Sequence, residues 1–423
     1  MRRIVVLGCG FGGFRAAREL QQSLSTRRRV QLTVVSDRSH FLYTPLLPHL
    51  ATGELDVAHI TFPLRAEFDK STELLIERVE RIDLERRVLV SDNREIDFDY
   101  LLVASGAEVD WGEDKQWQAH TLTCHSARDA TRIQERLASV LRDAAQLESA
   151  DQLQRRLTFV VGGAGPSGIE LAAQLLTTLR SELLPMAAEP IAQALRLIVV
   201  EQQQRILPDW PRELGELVRA HLRTLGMEFR TGTSVVGRSA EQVELSTGEI
   251  IDADNFLWCG GVRVPALVTE AGFKLDASGR IAVDSTLQAL QQPRIYAIGD
   301  VAGPPGDIPQ LGQVATQQAS VAARNIIANL SGRARRDWEY QPRGHLLSLG
   351  RRHAVAFWGD TPIEGRAASA LYRVVHTALM PTALKKAGLA KDWLFSAAGR
   401  SGASGLLGEP TVAAQLEAED SPP

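Results

Sequence analysis

A β-like run, a glycine-punctuated turn and a helix-like stretch occur in that order twice in this chain. The first unit reads RRIVVLGCGFGGFRAAREL, with Gly8-x-Gly10-x-x-Gly13 at the turn. The second reads RRLTFVVGGAGPSGIELAAQL, with Gly163-x-Gly165-x-x-Gly168. In such a unit the glycines permit a tight turn and let backbone N–H groups approach a pyrophosphate, while the helix N-terminus adds partial positive charge. GxGxxG alone is weak; the full strand–turn–helix setting, met twice, points to an α/β fold with two Rossmann-like dinucleotide-binding domains. The strand after each helix also ends in an acid, VQLTVVSD at Asp37 and LRLIVVE at Glu201. A carboxylate there can accept hydrogen bonds from ribose hydroxyls. At Glu201 it repels a 2′-phosphate, so the second cradle is expected to prefer NADH over NADPH.

Two cradles imply two dinucleotides, and 423 residues leave room for two or three domains. Apolar content of 44% and charged content of 23% suit a soluble globular chain. A net charge of −4 gives no argument for nucleic-acid binding. The N-terminal apolar run is short and broken by glycines, so it reads as a buried strand and not a secretory signal. No stretch approaches the ~18 apolar residues of a spanning helix. Cys9, Cys124 and Cys259 match no metal-ligand spacing and no C-x-x-C pair, so no metal site is expected. Cys9 and Cys259 read as small buried residues, and Cys124 as the one near the surface.

Two more strands complete the pattern. DFDYLLVASGA (97–107) ends in a small-residue turn, and QPRIYAIGDVAG (292–303) ends at Gly299–Asp300. Shortly after comes GQVATQQA (312–319), where Gln313 and Gln317 share one face of a helix. Neutral amides there could hydrogen-bond a carbonyl without supplying charge. The whole set resembles the two-dinucleotide flavoprotein reductase superfamily. That resemblance implies FAD in the first cradle, held by Gly8, Gly10, Phe11, Gly12, Gly13 and Asp37 with Pro45, Val79, Ala104, Ser105, Gly106 and Asp300. It implies NADH in the second, held by Gly163, Gly165, Pro166, Ser167, Gly168, Glu201 and Gly260. Ser105 stands where a threonine is usual and keeps the hydroxyl.

Within the superfamily, SHFLYTPLLPHLATGELD lacks the cysteine pair of disulfide reductases. That stretch, together with GPSGIELAAQL, FLWCGGVRVPALV and GQVATQQA, resembles type II NADH:quinone oxidoreductases; Gly312 replaces the usual alanine of the last motif. The resemblance implies an enzyme that passes two electrons from NADH through FAD to a membrane quinone without pumping protons. It places Gln313 and Gln317 beside the quinone, and Glu170 near the flavin in substrate binding or proton movement. A glutamate early in a helix also simply complements the helix dipole. A sulfide:quinone reductase-like enzyme, a reductase of a ferredoxin or rubredoxin, and a redox-sensing NADH-binding flavoprotein remain alternatives.

The expected boundaries are an FAD domain in two parts (1–115 and 266–335), an NADH domain inserted between them (116–265) and a C-terminal region (336–423). In the last, HLLSLGRRHAVAFWG reads as a hairpin with Arg351 and Arg352 at its turn. AASALYRVVHTALMPTALKKAGLAKDWLF reads as two amphipathic helices divided at Met380–Pro381. Leu371, Val375, Leu379, Leu384 and Leu389 carry the apolar spacing, and Arg373, His376, Lys385, Lys386 and Lys391 the positive charge. Basic amphipathic helices with Trp and Phe suit a membrane interface; packing on the core or a homodimer seam is the alternative. A peripheral position on the cytoplasmic face of the cell membrane is expected, with a mobile acidic tail.

Overall fold

The computed structural model describes residues 1–397 apart from 28, 113–114, 145, 187–188, 307, 359–360 and 381. The expected mobile tail and Pro381 lie outside the described residues.

The chain opens with β1 (Arg2–Leu7), α1 (Phe11–Leu24), β2 (Val30–Ser36), β3 (Thr72–Ile76) and β4 (Tyr100–Val103). It then builds β5 (Thr158–Gly162), α2 (Pro166–Met186), β6 (Arg196–Glu201), β7 (Glu228–Thr231) and β8 (Asn255–Trp258). These last four strands form one parallel sheet in the order β7-β6-β5-β8. Only afterwards does β9 (Ile295–Ala297) return to pair with β4, completing a first parallel sheet in the order β9-β4-β1-β2-β3. The second Rossmann-like unit is therefore inserted in the first, as the repeated motif implies. Central parallel strands are covered on both faces, which is why IVVL in β1 and FVV in β5 are apolar without alternation and buried.

Helix α3 (Gly312–Leu330) lies along α1, and both carry small buried residues on their shared side. Ala315, Ala319, Ala322 and Ala323 of α3 and Ala16 and Ala17 of α1 are all buried, so the backbones can approach closely. Beyond α3 come β10 (His345–Ser348), β11 (Ala354–Trp358) and β12 (Thr361–Gly365), an antiparallel sheet. The hairpin is the expected one; β12, from TPIEG, is an addition that the sequence pattern did not single out. Two helices follow, α4 (Arg366–Leu379) and α5 (Ala383–Ala397). Among the described residues no helix is long and apolar enough to cross a membrane.

Candidate active site

The glycines of the first cradle are dictated by close backbone approach and by open space. Gly8 has φ +94°, and a Cβ on it would collide with the Ala104 carbonyl at the end of β4. A Cβ on Gly13 would collide with the Gly8 carbonyl, and one on Gly12 would lie 3.0 Å from Ile298 Cδ1. Gly10 differs: its Cβ would meet nothing within 4 Å. It N-caps α1 without a side-chain hydrogen bond, and the first turn of α1 has no acid. The helix thus keeps its N-terminal N–H groups for an outside acceptor. Phe11, the first residue of α1, packs edge-on against Phe41 at 5.2 Å between centroids.

The residues around this cradle fit FAD. Ser105 Oγ is buried and has no hydrogen-bond partner among the described residues, so the hydroxyl is placed for a ligand. Gly106, at φ +68°, faces open space, and Asp37 is exposed just past β2. Asp300 sits on the single turn Gly299–Val301, where burial raises its carboxyl above the usual range and Arg280 opposes that shift. Pro45 lies on the turn Thr44–Leu46, and its carbonyl faces the Tyr372 hydroxyl at 3.5 Å. Val79 is buried at the start of the strand Val79–Asp83, in a separate small antiparallel sheet.

The second cradle repeats the geometry. Gly163 has φ +99°, its Cβ would lie 2.5 Å from the Cys259 carbonyl, and a Cβ on Gly168 would strike the Gly163 carbonyl. Gly165, like Gly10, faces nothing within 4 Å, and Pro166 and Ser167 begin α2 beside it. Gly260 is needed for packing, because a Cβ there would run into the Trp258 ring. Glu201 is buried at the end of β6. Its Oε2 accepts from the Ala164 backbone N–H at 2.7 Å and its Oε1 from that of Gln203 at 2.8 Å. The carboxylate therefore braces the loop as well as pointing at it, and each oxygen retains a lone pair for a ribose hydroxyl.

Helix α2 starts at this cradle and carries Glu170 into a buried polar cluster. Glu170 Oε1 accepts from the Ser348 backbone N–H at 2.8 Å, and the Tyr372 hydroxyl also bonds the carboxyl. Burial raises its pKa to about 8, against the smaller opposing pull of those two bonds. One turn later Gln174 reaches His49 Nδ1 at 3.0 Å and donates to Ser348 Oγ at 3.1 Å. His49 Nδ1 in turn lies 2.7 Å from Glu54 Oε2, and Glu54 also holds Ser396 and, at 3.7 Å, Arg373. Burial pushes the Glu54 carboxyl up, but His49, Ser396 and Arg373 together leave it below its usual value.

His376 departs from expectation. Read as part of a positive helix face, it is buried, its Nδ1 pairs with the Tyr43 hydroxyl at 2.9 Å, and burial lowers its pKa to about 3. It is a neutral core group. Trp393, expected at a membrane surface, is likewise buried, edge-on to His49 at 5.1 Å. Cys259, read as a small buried residue, is half-buried, as is Cys124, which lies near it on a segment bridged to β8 through Leu122 and Leu257. Burial raises both thiols, Cys259 to about 12.

Gln313 and Gln317 do share a face of α3, but their amides have protein partners. Gln317 donates to the Gln341 carbonyl at 2.9 Å and accepts from the Gln341 N–H at 3.1 Å. Gln313 Oε1 accepts from the Arg343 N–H at 3.2 Å. Gln318, which the motif did not distinguish, is fully buried and bonds the Gly299 N–H. His49, Glu54, Gln174 and Tyr372 were also missed; HLATGELD carried two of them, read only as part of the family resemblance.

Comparison with known proteins extends this geometry. The family model for pyridine nucleotide-disulphide oxidoreductases matches residues 2–319. The type II NADH:quinone oxidoreductase Ndh of Mycobacterium tuberculosis is 29% identical over 395 residues, covering 89% of this chain and 84% of that protein. The demethylphylloquinone reductase NdbB of Synechocystis sp. is 29% identical over 408 residues, covering 93% and 95%. Among solved structures, NDH2 from Plasmodium falciparum in complex with NADH superposes with a TM-score of 0.85 at 17% identity, covering 95% of this chain and 99% of that one. The sulfide:quinone oxidoreductase of Aquifex aeolicus has the same fold at a TM-score of 0.72 and 20% identity, covering 99% and 95%.

Proposed function

The chain belongs to the pyridine nucleotide-disulphide oxidoreductase family, and from that premise we propose that it is an NADH:quinone oxidoreductase working through FAD without pumping protons. The supporting observation is the path of α2. Its N-terminus borders the second cradle, and its next two turns carry Glu170 and Gln174 against Ser348 and the C-terminal sheet. One helix thus links the nicotinamide end of the molecule to the region that would meet a quinone.

Residues 1–115 and 266–335 are assigned to FAD, 116–265 to NADH and 336–423 to the C-terminal region. The Gly8–Gly13 loop, Asp37, Ser105 and Asp300 would hold FAD, and the Gly163–Gly168 loop and Glu201 would hold NADH. Bound FAD would supply the chemistry that accepts a hydride and hands on electrons. The protein's part is placement and proton control. Glu170, protonated near neutrality because it is buried, can give up a proton beside the site, and Ser348 and Tyr372 hold its carboxyl in place.

A peripheral place on the cytoplasmic face of the membrane is part of the same proposal. Exposed large apolar side chains concentrate at the C-terminus: Leu384 is 80% exposed, Leu394 73% and Val374 64%, with Ile363, Leu371, Leu379 and Phe395 nearby. Outside that segment only Met1, Val236 and Ile250 are comparable among the described residues. An apolar surface of this kind marks an interaction face. The test is steady-state NADH oxidation by the FAD-loaded protein with benzoquinones, naphthoquinones and ferredoxin as acceptors. Quinone reduction in preference to ferredoxin is expected; ferredoxin as the better acceptor overturns the proposal.

A further inference from the structure

Between α4 and α5, under the turn that joins β10 to β11, lies a groove of about 780 Å³. Arg351, Arg352, Arg366, Arg373 and Lys386 line it, and among the described residues no acid does. The chain as a whole carries a net charge of −4, so this concentration of positive charge is local. Arg373 is anchored: it bonds the Arg351 carbonyl, approaches Glu54 and stacks over Trp393 at 5.1 Å. Arg366 and Lys386 are exposed.

Trp393 also lines the groove, and its buried indole N–H has no hydrogen-bond partner among the described residues. A buried donor without an acceptor is costly, so a ligand in the groove whose acceptor oxygen reached this N–H would gain by satisfying it. Apart from Ser369 and Thr377, the remaining wall is apolar. Val374, Ala378 and Leu394 line the groove, are exposed, and run into the apolar surface already described.

Each feature narrows the occupant. The exposed cations Arg366 and Lys386 call for an anion, which an uncharged quinone does not supply. The exposed apolar wall calls for a hydrocarbon chain, which free phosphate lacks. We propose that this groove binds the phosphate headgroup of an anionic phospholipid, with part of an acyl chain lying on Val374 and Leu394. The proposal rests on the membrane placement above and deepens it, from general attraction to a surface into selection of a lipid by its head.

The test is flotation of the full-length, FAD-loaded protein with phosphatidylcholine vesicles, with and without phosphatidylglycerol. The parent should bind the anionic vesicles more tightly. Arg366→Gln and Lys386→Gln should each weaken that binding roughly fivefold, the loss expected of one cation at an anionic surface. Lys391→Gln, on the same helix but outside the groove, should do much less. Trp393→Phe should weaken binding while leaving the melting temperature near the parent value. Equal losses from Lys386→Gln and Lys391→Gln would mean diffuse surface charge and overturn the proposal. Equal binding of the parent to both vesicle types also overturns it, as does displacement by millimolar inorganic phosphate at fixed ionic strength. Flotation needs no turnover. If lipid selection follows Arg366 and Lys386 but no quinone is reduced, only the enzymatic assignment falls; if quinones are reduced without lipid selection, only this proposal does.

Discussion

Gln318 holds the backbone N–H of Gly299 through its side-chain oxygen at 2.6 Å, although it comes from a helix that begins thirteen positions later in the chain. Gly299 has φ +73° and precedes Asp300, so this bond fixes the turn that carries the carboxylate proposed to hold FAD. Gln318→Leu leaves that N–H without its acceptor, at a cost of about 1–3 kcal/mol. The purified variant should carry less flavin per protein, measured by absorbance, whereas Gln317→Leu should retain it. Equal flavin content in both would remove Gln318 from the cofactor site.

Gly312 offers a test in the opposite direction. A Cβ there would sit 3.5 Å from the Phe11 ring, an ordinary van der Waals contact, and the residue begins α3. Gly312→Ala should therefore stabilise the protein by about 0.4–1 kcal/mol, chiefly by restricting the unfolded chain. Equilibrium denaturation measures it, and a loss of stability would mean that the Phe11 region is tighter than the geometry indicates.

These two residues show what the sequence could and could not carry. The cradles were legible because each glycine answers to local geometry: a strand end, a turn and a helix start within a few residues. Which of three glutamines points inward was not legible, since Gln317 and Gln318 are adjacent and only the packing of α3 against α1 separates their faces. The Glu170 cluster was partly hidden for a similar reason. His49, Gln174, Ser348 and Ser396 meet only after the C-terminal sheet and helices have docked. His376 illustrates the limit of patterning: on a helix that also carries Arg366 and Arg373, burial makes it a neutral core residue, and its ring meets the Tyr43 hydroxyl from a distant segment.

Glu201 should set the nicotinamide preference. Because both its oxygens already accept loop N–H groups, a phosphate brought beside it would meet a negative charge fixed in place. The parent should use NADH over NADPH by at least about tenfold, or roughly 1.4 kcal/mol. Glu201→Gln has one oxygen and one amino group, so it sets a donor against either the Ala164 or the Gln203 N–H. It should narrow the preference by raising KM for NADH as well as lowering KM for NADPH. Equal efficiency of the parent with both dinucleotides would refute the assignment.

Glu170 should leave a signature in stability against pH. Burial raises its pKa from an ordinary 4.5 to about 8 in the folded protein. The folded state therefore holds this proton where the unfolded chain has released it, so the contribution is complete below about 4.5 and lost as pH rises through about 8. Glu170→Gln keeps an oxygen for the Ser348 N–H and cannot ionise. Between pH 5 and pH 9 the melting temperature of the parent should fall relative to that of the variant. A relative rise would show that the carboxyl is ionised in the folded protein and sink its role as a proton donor.

The two bonds between Gln317 and Gln341 tie α3 to the segment that leads, through Arg343, into β10 and Ser348. Ser348 is the residue whose N–H holds Glu170, so the glutamine clasp lies upstream of the buried acid. Gln317→Leu keeps the approximate volume and removes both bonds, each worth about 0.5–1.5 kcal/mol. If the amide orients a quinone directly, or keeps in place the strand that forms the site, the consequence falls on the same half-reaction. Reoxidation of the flavin by quinone should slow by several-fold to about tenfold, that is, by about 1.4 kcal/mol at the upper end. Anaerobic reduction by NADH should stay near the parent rate, because the second cradle and Glu201 are untouched. Stopped-flow absorbance resolves the two steps. A variant that is slow with NADH and normal with quinone would move the quinone site away from this helix.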